Sequence, residues 1–155
     1  MIPGRKYSDA DIKDARARFE RANKEFDSVL EHLDREISET LRNYWKRQSE
    51  RAPFILASLE MAQLLGHWVK WAGTIGFAFY FHEVLVREAP DSVFHIVIAH
   101  ELAHALQMAR ENVFFLELVA NPERMAAHER TATRLTEEWG FNQLAAKAWC
   151  EKHIG

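Results

Sequence analysis

The stretch Val93–Gln107, VFHIVIAHELAHALQ, constrains the fold more than any other part of the chain. It is an apolar run that also carries His100, Glu101 and His104. Burying two imidazoles and a carboxylate among Ile, Val, Leu and Ala is costly unless a partner or a metal satisfies them. On an α-helix, residues four apart differ by about 40° in azimuth and stand one turn apart. His100 and His104 can therefore reach a single ion at about 2.0–2.1 Å, while Glu101, about 100° round the helix, is placed to contact a water on that ion. The pattern is H-E-x-x-H, and the ion it suits is Zn²⁺, one per chain.

Bulk properties set the frame for this helix. A chain of 155 residues fits one compact domain with a real core. Apolar residues make up 48% and charged ones 28%, as in a globular protein and unlike a disordered chain. A net charge of −3 argues against a domain dominated by phosphate contacts. The single cysteine, Cys150, excludes an intramolecular disulfide and fits a reducing compartment. The first residues carry no apolar signal segment and no run approaches membrane-spanning length, so a cytoplasmic chain without membrane contact is expected.

Along the chain, Ser8 reads as an N-cap followed by Asp9 and Asp11, which the helix dipole favours in a first turn. Ile12, Ala15, Phe19, Ala22, Phe26, Val29 and Leu33 then recur at three- and four-residue steps, and Ile37, Leu41 and Tyr44 extend the stripe. This predicts one long amphipathic helix or a broken pair, with a charged outer face; a coiled-coil arm is the alternative. Arg42, Lys46, Arg47 and Arg51 surround Tyr44 and Trp45, a pattern that fits a helix end with dipole-favoured cations better than a base-stacking platform. After Pro53, PFILAS, GHWVKW and TIGFAFYF each read as a short strand, the last with Ile75, Phe77, Phe79 and Phe81 on one face. Asp91 or Ser92 caps the H-E-x-x-H helix, Val93 to about Arg110. Asn121-Pro122 opens another helix closed by Gly140, and Asn142 caps a last one.

The expected architecture is α+β and zincin-like: a long N-terminal helix, a small three-stranded sheet, the H-E-x-x-H helix and C-terminal helices. It forms one domain over 1–155, with an N-terminal helical segment (1–51), a core (53–141) and a C-terminal helix (142–155).

A catalytic zinc takes three protein ligands and leaves one position open. Glu129 and His128 on the Asn121–Trp139 helix can supply the third, with Glu129 favoured; Glu111 and Glu117 rank below both because they fall in the connection between helices. Neither of the two leading residues fits the short H-E-x-x-H-x-x-G-x-x-H spacing.

HELAHALQ, preceded by LLGHWVKWAGTIGFAFYF and followed by HERTATRLTEEWGF, resembles a small zincin-type metallopeptidase domain over about Pro53 to Phe141. The order of helix, strands, G-x-W, strand and H-E-x-x-H helix is similar to SprT-like domains. The second half is similar to the ImmA/IrrE-like peptidases, whose third ligand is a glutamate in an E-x-x-A-N segment. Here Glu129 begins E-x-x-A with Thr133 in place of Asn, and the downstream His of SprT-like domains is absent. The resemblance implies a zinc peptidase acting on peptides or unfolded protein. A substrate strand would pair with TIGFAFYF through Thr74, Gly76 and Ala78, an edge that Gly73 and Gly76 let a backbone approach closely. Glu101 would be the general base. His128 would donate to the oxyanion if Glu129 ligates, with Tyr80 and His82 as weaker donors. The alternatives are a zinc-stabilised module without turnover that docks a protein partner through its N-terminal helix, and a DNA-associated SprT-like protease, which the acidic balance disfavours.

Overall fold

The computed structural model describes residues 6–48, 54–56, 71–75, 78–111, 117–118 and 120–155. Helix α1 runs Asp9–His32 and α2 Arg35–Gln48, so the amphipathic stripe belongs to a broken pair. Ser8 closes a full capping box: its hydroxyl accepts from the Asp11 amide at 3.1 Å and the Asp11 carboxylate accepts from the Ser8 amide at 3.0 Å. The break falls at Leu33, whose backbone turns extended, and Ser38 donates its hydroxyl to the Leu30 carbonyl at 2.7 Å across it.

Only the second half of α1 is core. Ala22, Phe26, Val29 and Leu30 are buried, whereas Phe19 is 46% exposed although the stripe predicts it inside. The reason is electrostatic. The first turns of α1 meet a short helix, α3 (Glu83–Glu88), through charges: Arg87 donates to Asp14 at 2.8 Å, Arg18 lies 3.6 Å from Glu83, and Arg21 donates to the Val86 carbonyl at 2.6 Å. The α3 helix was not anticipated; His82 caps it, its Nδ1 accepting from the Val84 amide at 3.1 Å. That bond gives His82 a structural task.

Helix α4, Asp91–Glu111, is the axis of the molecule. It begins at Asp91, after Pro90, so neither Asp91 nor Ser92 is the flanking cap. Thirteen of its residues are buried, and α1, α2, α5 (Pro122–Glu138), α6 (Gln143–His153) and strand β2 all pack on it. Asn121 caps α5 with Pro122 behind it, Gly140 follows its end at φ +93°, and Asn142 caps α6, as the sequence predicts.

The α+β, zincin-like expectation is corrected: the chain is mainly helical. Among the described residues, extended structure is confined to β1 (Phe54–Leu56), β2 (Ala72–Ile75) and β3 (Ala78–Phe81), three or four residues each, paired in the order β1-β3-β2. The small sheet adds Phe79 and Phe81 of β3 to a core that the described helices otherwise build around α4. TIGFAFYF, expected as one strand, is divided: Ile75 pairs with Ala78 and Thr74 with Phe79, antiparallel, so the chain reverses between β2 and β3. Gly66 to Lys70 of the expected GHWVKW strand, and Gly76, lie outside the described residues. The basic cluster on α2 loses its stacking reading at Tyr44, which is buried in the core.

Candidate metal centre

Helices α4 and α5 pack against each other and bring His100, His104, His128 and Glu129 together. The Nε2 atoms of His100 and His104 are 3.1 Å apart. Glu129 closes the triangle, Oε2 lying 3.1 Å from His100 Nε2 and Oε1 3.1 Å from His104 Nε2. Ligand atoms at 2.0–2.1 Å around a tetrahedral zinc are separated by about 3.3 Å, so this donor set fits such an ion on one face and leaves the opposite position to a further ligand. His100, Glu101 and His104 also form a compact group by themselves, but the hydrogen-bonded triangle takes Glu129 as its carboxylate.

The electrostatics agree with the geometry. Burial pushes the Glu129 carboxyl up, but the hydrogen bonds from His100 and His104 outweigh it and hold the group well below the usual carboxylate range. Burial lowers His100, and the neighbouring Glu129 and Glu101 outweigh it and raise it. The pocket of imidazoles and carboxylates attracts positive charge.

Each imidazole is oriented from behind. The Gln143 side chain stands 2.9 Å from His100 Nδ1, and His128 Nδ1 stands 2.9 Å from His104 Nδ1 with the two rings stacked at 8°. His128 is 4% exposed; burial and then the nearby His104 lower its pKa to about 4, so its ring is neutral at pH 7. It adjoins the Nδ1 edge of His104, whereas Glu129 sits on the Nε2 edge.

Glu101 is 4% exposed and is held by Thr74 on β2, whose hydroxyl donates to Oε2 at 2.6 Å and lies 3.1 Å from the Glu101 carbonyl. Thr74, expected to bind substrate, thus touches the expected general base. Ala78 lies on the middle strand β3, and Gly73 lies on the edge strand β2. Glu111 ends α4, and Glu117 pairs with Arg124 at 3.6 Å, away from the triangle. A cleft of about 460 Å³ opens beside the cluster, lined by His100, Glu101 and Glu129 on one side and by Trp71, Val97, Leu144, Ala146 and Cys150 around it. Burial pushes the Cys150 thiol up to about 11, so it contributes a neutral wall.

Two contributors were missed in the sequence. Gln107 donates to the His128 carbonyl at 3.1 Å; its position three residues after His104, on the same side of α4, was the available signal. Gln143 had none, because its approach depends on how α6 packs. No family model, curated protein or solved structure matches this chain. No helix among the described residues is long and apolar enough to cross a membrane.

Proposed function

We propose that this chain is a zinc-dependent peptidase that binds one Zn²⁺ through His100, His104 and Glu129 and cleaves peptides or unfolded protein segments, in the cytoplasm. The observation that carries the proposal is the 3.1 Å triangle of two Nε2 atoms and a carboxylate, with Glu101 beside it at the mouth of a cleft. A structural zinc site closes its coordination with a fourth protein ligand, whereas three ligands beside an open cleft suit a catalytic one.

Bound zinc would supply Lewis acidity to the scissile carbonyl and lower the pKa of a water. The chain's own residues do the rest. Glu101 takes the proton from the attacking water and passes it to the leaving amine. Thr74 holds Oε2 of that carboxylate, leaving Oε1 to carry the proton. Gln143 and His128 hold the two rings from behind, with both Nε2 atoms facing Glu129. The apolar part of the cleft wall, Trp71, Val97, Leu144 and Ala146, receives a substrate side chain.

Elemental analysis of the purified chain tests the proposal. About one zinc per chain is expected in the parent, lost in His104→Ala and Glu129→Ala. A zinc-replete Glu101→Gln variant should retain the metal but not cleave an unfolded protein that the parent cleaves. No zinc in the parent after supplementation would overturn the proposal. Zinc without turnover would leave a metal-stabilised module instead.

A further inference from the structure

Resting on the peptidase reading of the cluster, we infer that its cleft takes a substrate side chain with an apolar stem and a cationic head, lysine or arginine. Glu137 is the residue that selects it.

Helix α5 leads from the ligand set to the selecting residue. Glu129, Thr133 and Glu137 follow at four-residue steps on one stripe of the helix, and all three line the cleft. At a rise of about 1.5 Å per residue, Glu137 stands about 12 Å along the helix from Glu129. The cleft also presents Val97 of α4 and Leu144 and Ala146 of α6, an apolar lining beside that stripe. Leu144 is 74% exposed, so an occupant gains by covering it. A side chain that starts at the reacting bond, beside Glu101 and Glu129, crosses apolar surface and then meets a carboxylate. Short apolar residues stop before it. A lysine or arginine stem covers the apolar lining while its head stays hydrated at the rim.

The charge at that rim is uncompensated. Glu137 is exposed and forms no ion pair among the described residues, whereas its neighbour Glu138 lies 3.6 Å from Arg134. Lys147 also lines the cleft, but its ammonium lies 3.9 Å from Glu151 on its own helix. Glu101 is held by Thr74, and Glu129 by His100 and His104. Among the described residues, Glu137 is thus the lining carboxylate left to pair with a cation.

Digestion of a denatured protein of known sequence by the zinc-loaded parent, with the cut sites read by mass spectrometry, tests the inference. Lysine or arginine should recur at one fixed position beside the cleaved bond. Peptides carrying arginine or its uncharged isostere citrulline there should differ about 2- to 5-fold in kcat/KM, the worth of an exposed ion pair. That ratio should fall to about 1 in Glu137→Gln and shrink in high salt. It should keep its parental value in Glu138→Gln, whose carboxylate does not line the cleft. Cuts without a cation preference, a preference for acidic residues (which would give the selecting charge to Lys147), or a ratio that survives Glu137→Gln each overturn the inference and leave the peptidase standing. A parent that binds no zinc, or cuts nothing, removes the proposed function and this specificity together.

Discussion

At the α1–α4 contact Glu25 meets His95, and at the α4–α5 contact Glu129 meets His100 and His104. Both are histidine–glutamate contacts between neighbouring helices, and α4 supplies the imidazoles in each. They differ in convergence. Glu25 is buried and pairs with one ring, in the clasp that Arg21 continues over the Phe94 ring. Glu129 is half-exposed, divides its oxygens between two rings, and lines a cleft. A closed pair joins helices, whereas the divided carboxylate and the two nitrogens turn their ligand atoms toward one point beside the cleft. A histidine facing a glutamate therefore does not by itself mark a candidate metal site; the shared focus of the ligand atoms sets the Glu129 cluster apart.

Substitutions can break this contrast. The largest effect is expected at Glu101, where Glu101→Gln should lower turnover by about 10²- to 10⁴-fold with zinc content unchanged; undiminished turnover would remove the general base from the mechanism. At the closed pair, His95→Phe leaves the buried Glu25 carboxylate unpaired and should destabilise the fold by about 1–3 kcal/mol in a denaturant titration. Zinc per chain should stay at the parental value, and a loss of metal there would erase the distinction between the two contacts. Thr74→Val should cost about tenfold in kcat/KM, the equivalent of one hydrogen bond of roughly 1.4 kcal/mol, because Glu101 loses the donor on Oε2. Zinc affinity should not move; if it does, Thr74 supports the whole cluster and not the base alone.

How much of this was legible in the sequence depended on distance along the chain. The helical period carried the pairing of His100 with His104, and caps at Ser8, Asn121 and Asn142 marked helix starts, because both are local effects. The sequence offers Glu129 ahead of His128 as the third ligand without deciding between them, and the structure brings Glu129 to the triangle. The fold class was misread for the reason that makes short apolar runs ambiguous: TIGFAFYF alternates as a strand should, yet its chain reverses within the alternation. Thr74 shows the same limit at the site. Its hydroxyl reaches Glu101 across 27 residues, and no spacing rule links a strand residue to a helix packed on it. Phe19 was placed inside by its period, but Arg18 and Arg21 turn that part of α1 toward the charges and carbonyls of α3.

The smallest effect lies in that charged clasp, and its sign follows from one carboxylate. The hydrogen bond from Arg87 holds Asp14 below its ordinary value of 3.8; desolvation opposes the shift and the charges of Arg87 and Arg18 add to it. A group whose folded pKa is depressed binds fewer protons when folded, so its contribution to stability is complete above the unfolded value and is lost as pH falls through the folded one. Asp14 is 40% exposed in its side chain, and solvent screens the pair, which limits the contribution to about 0.2–1 kcal/mol. Denaturation midpoints of the parent and Asp14→Asn should therefore differ slightly at pH 7 and converge as the pH drops below 3.8. High salt should shrink the gap at pH 7, as it does for exposed pairs. A gap that persists in acid and in salt would mean that Asp14 acts through packing, and the clasp would then resemble the buried Glu25–His95 contact more than a surface ion pair.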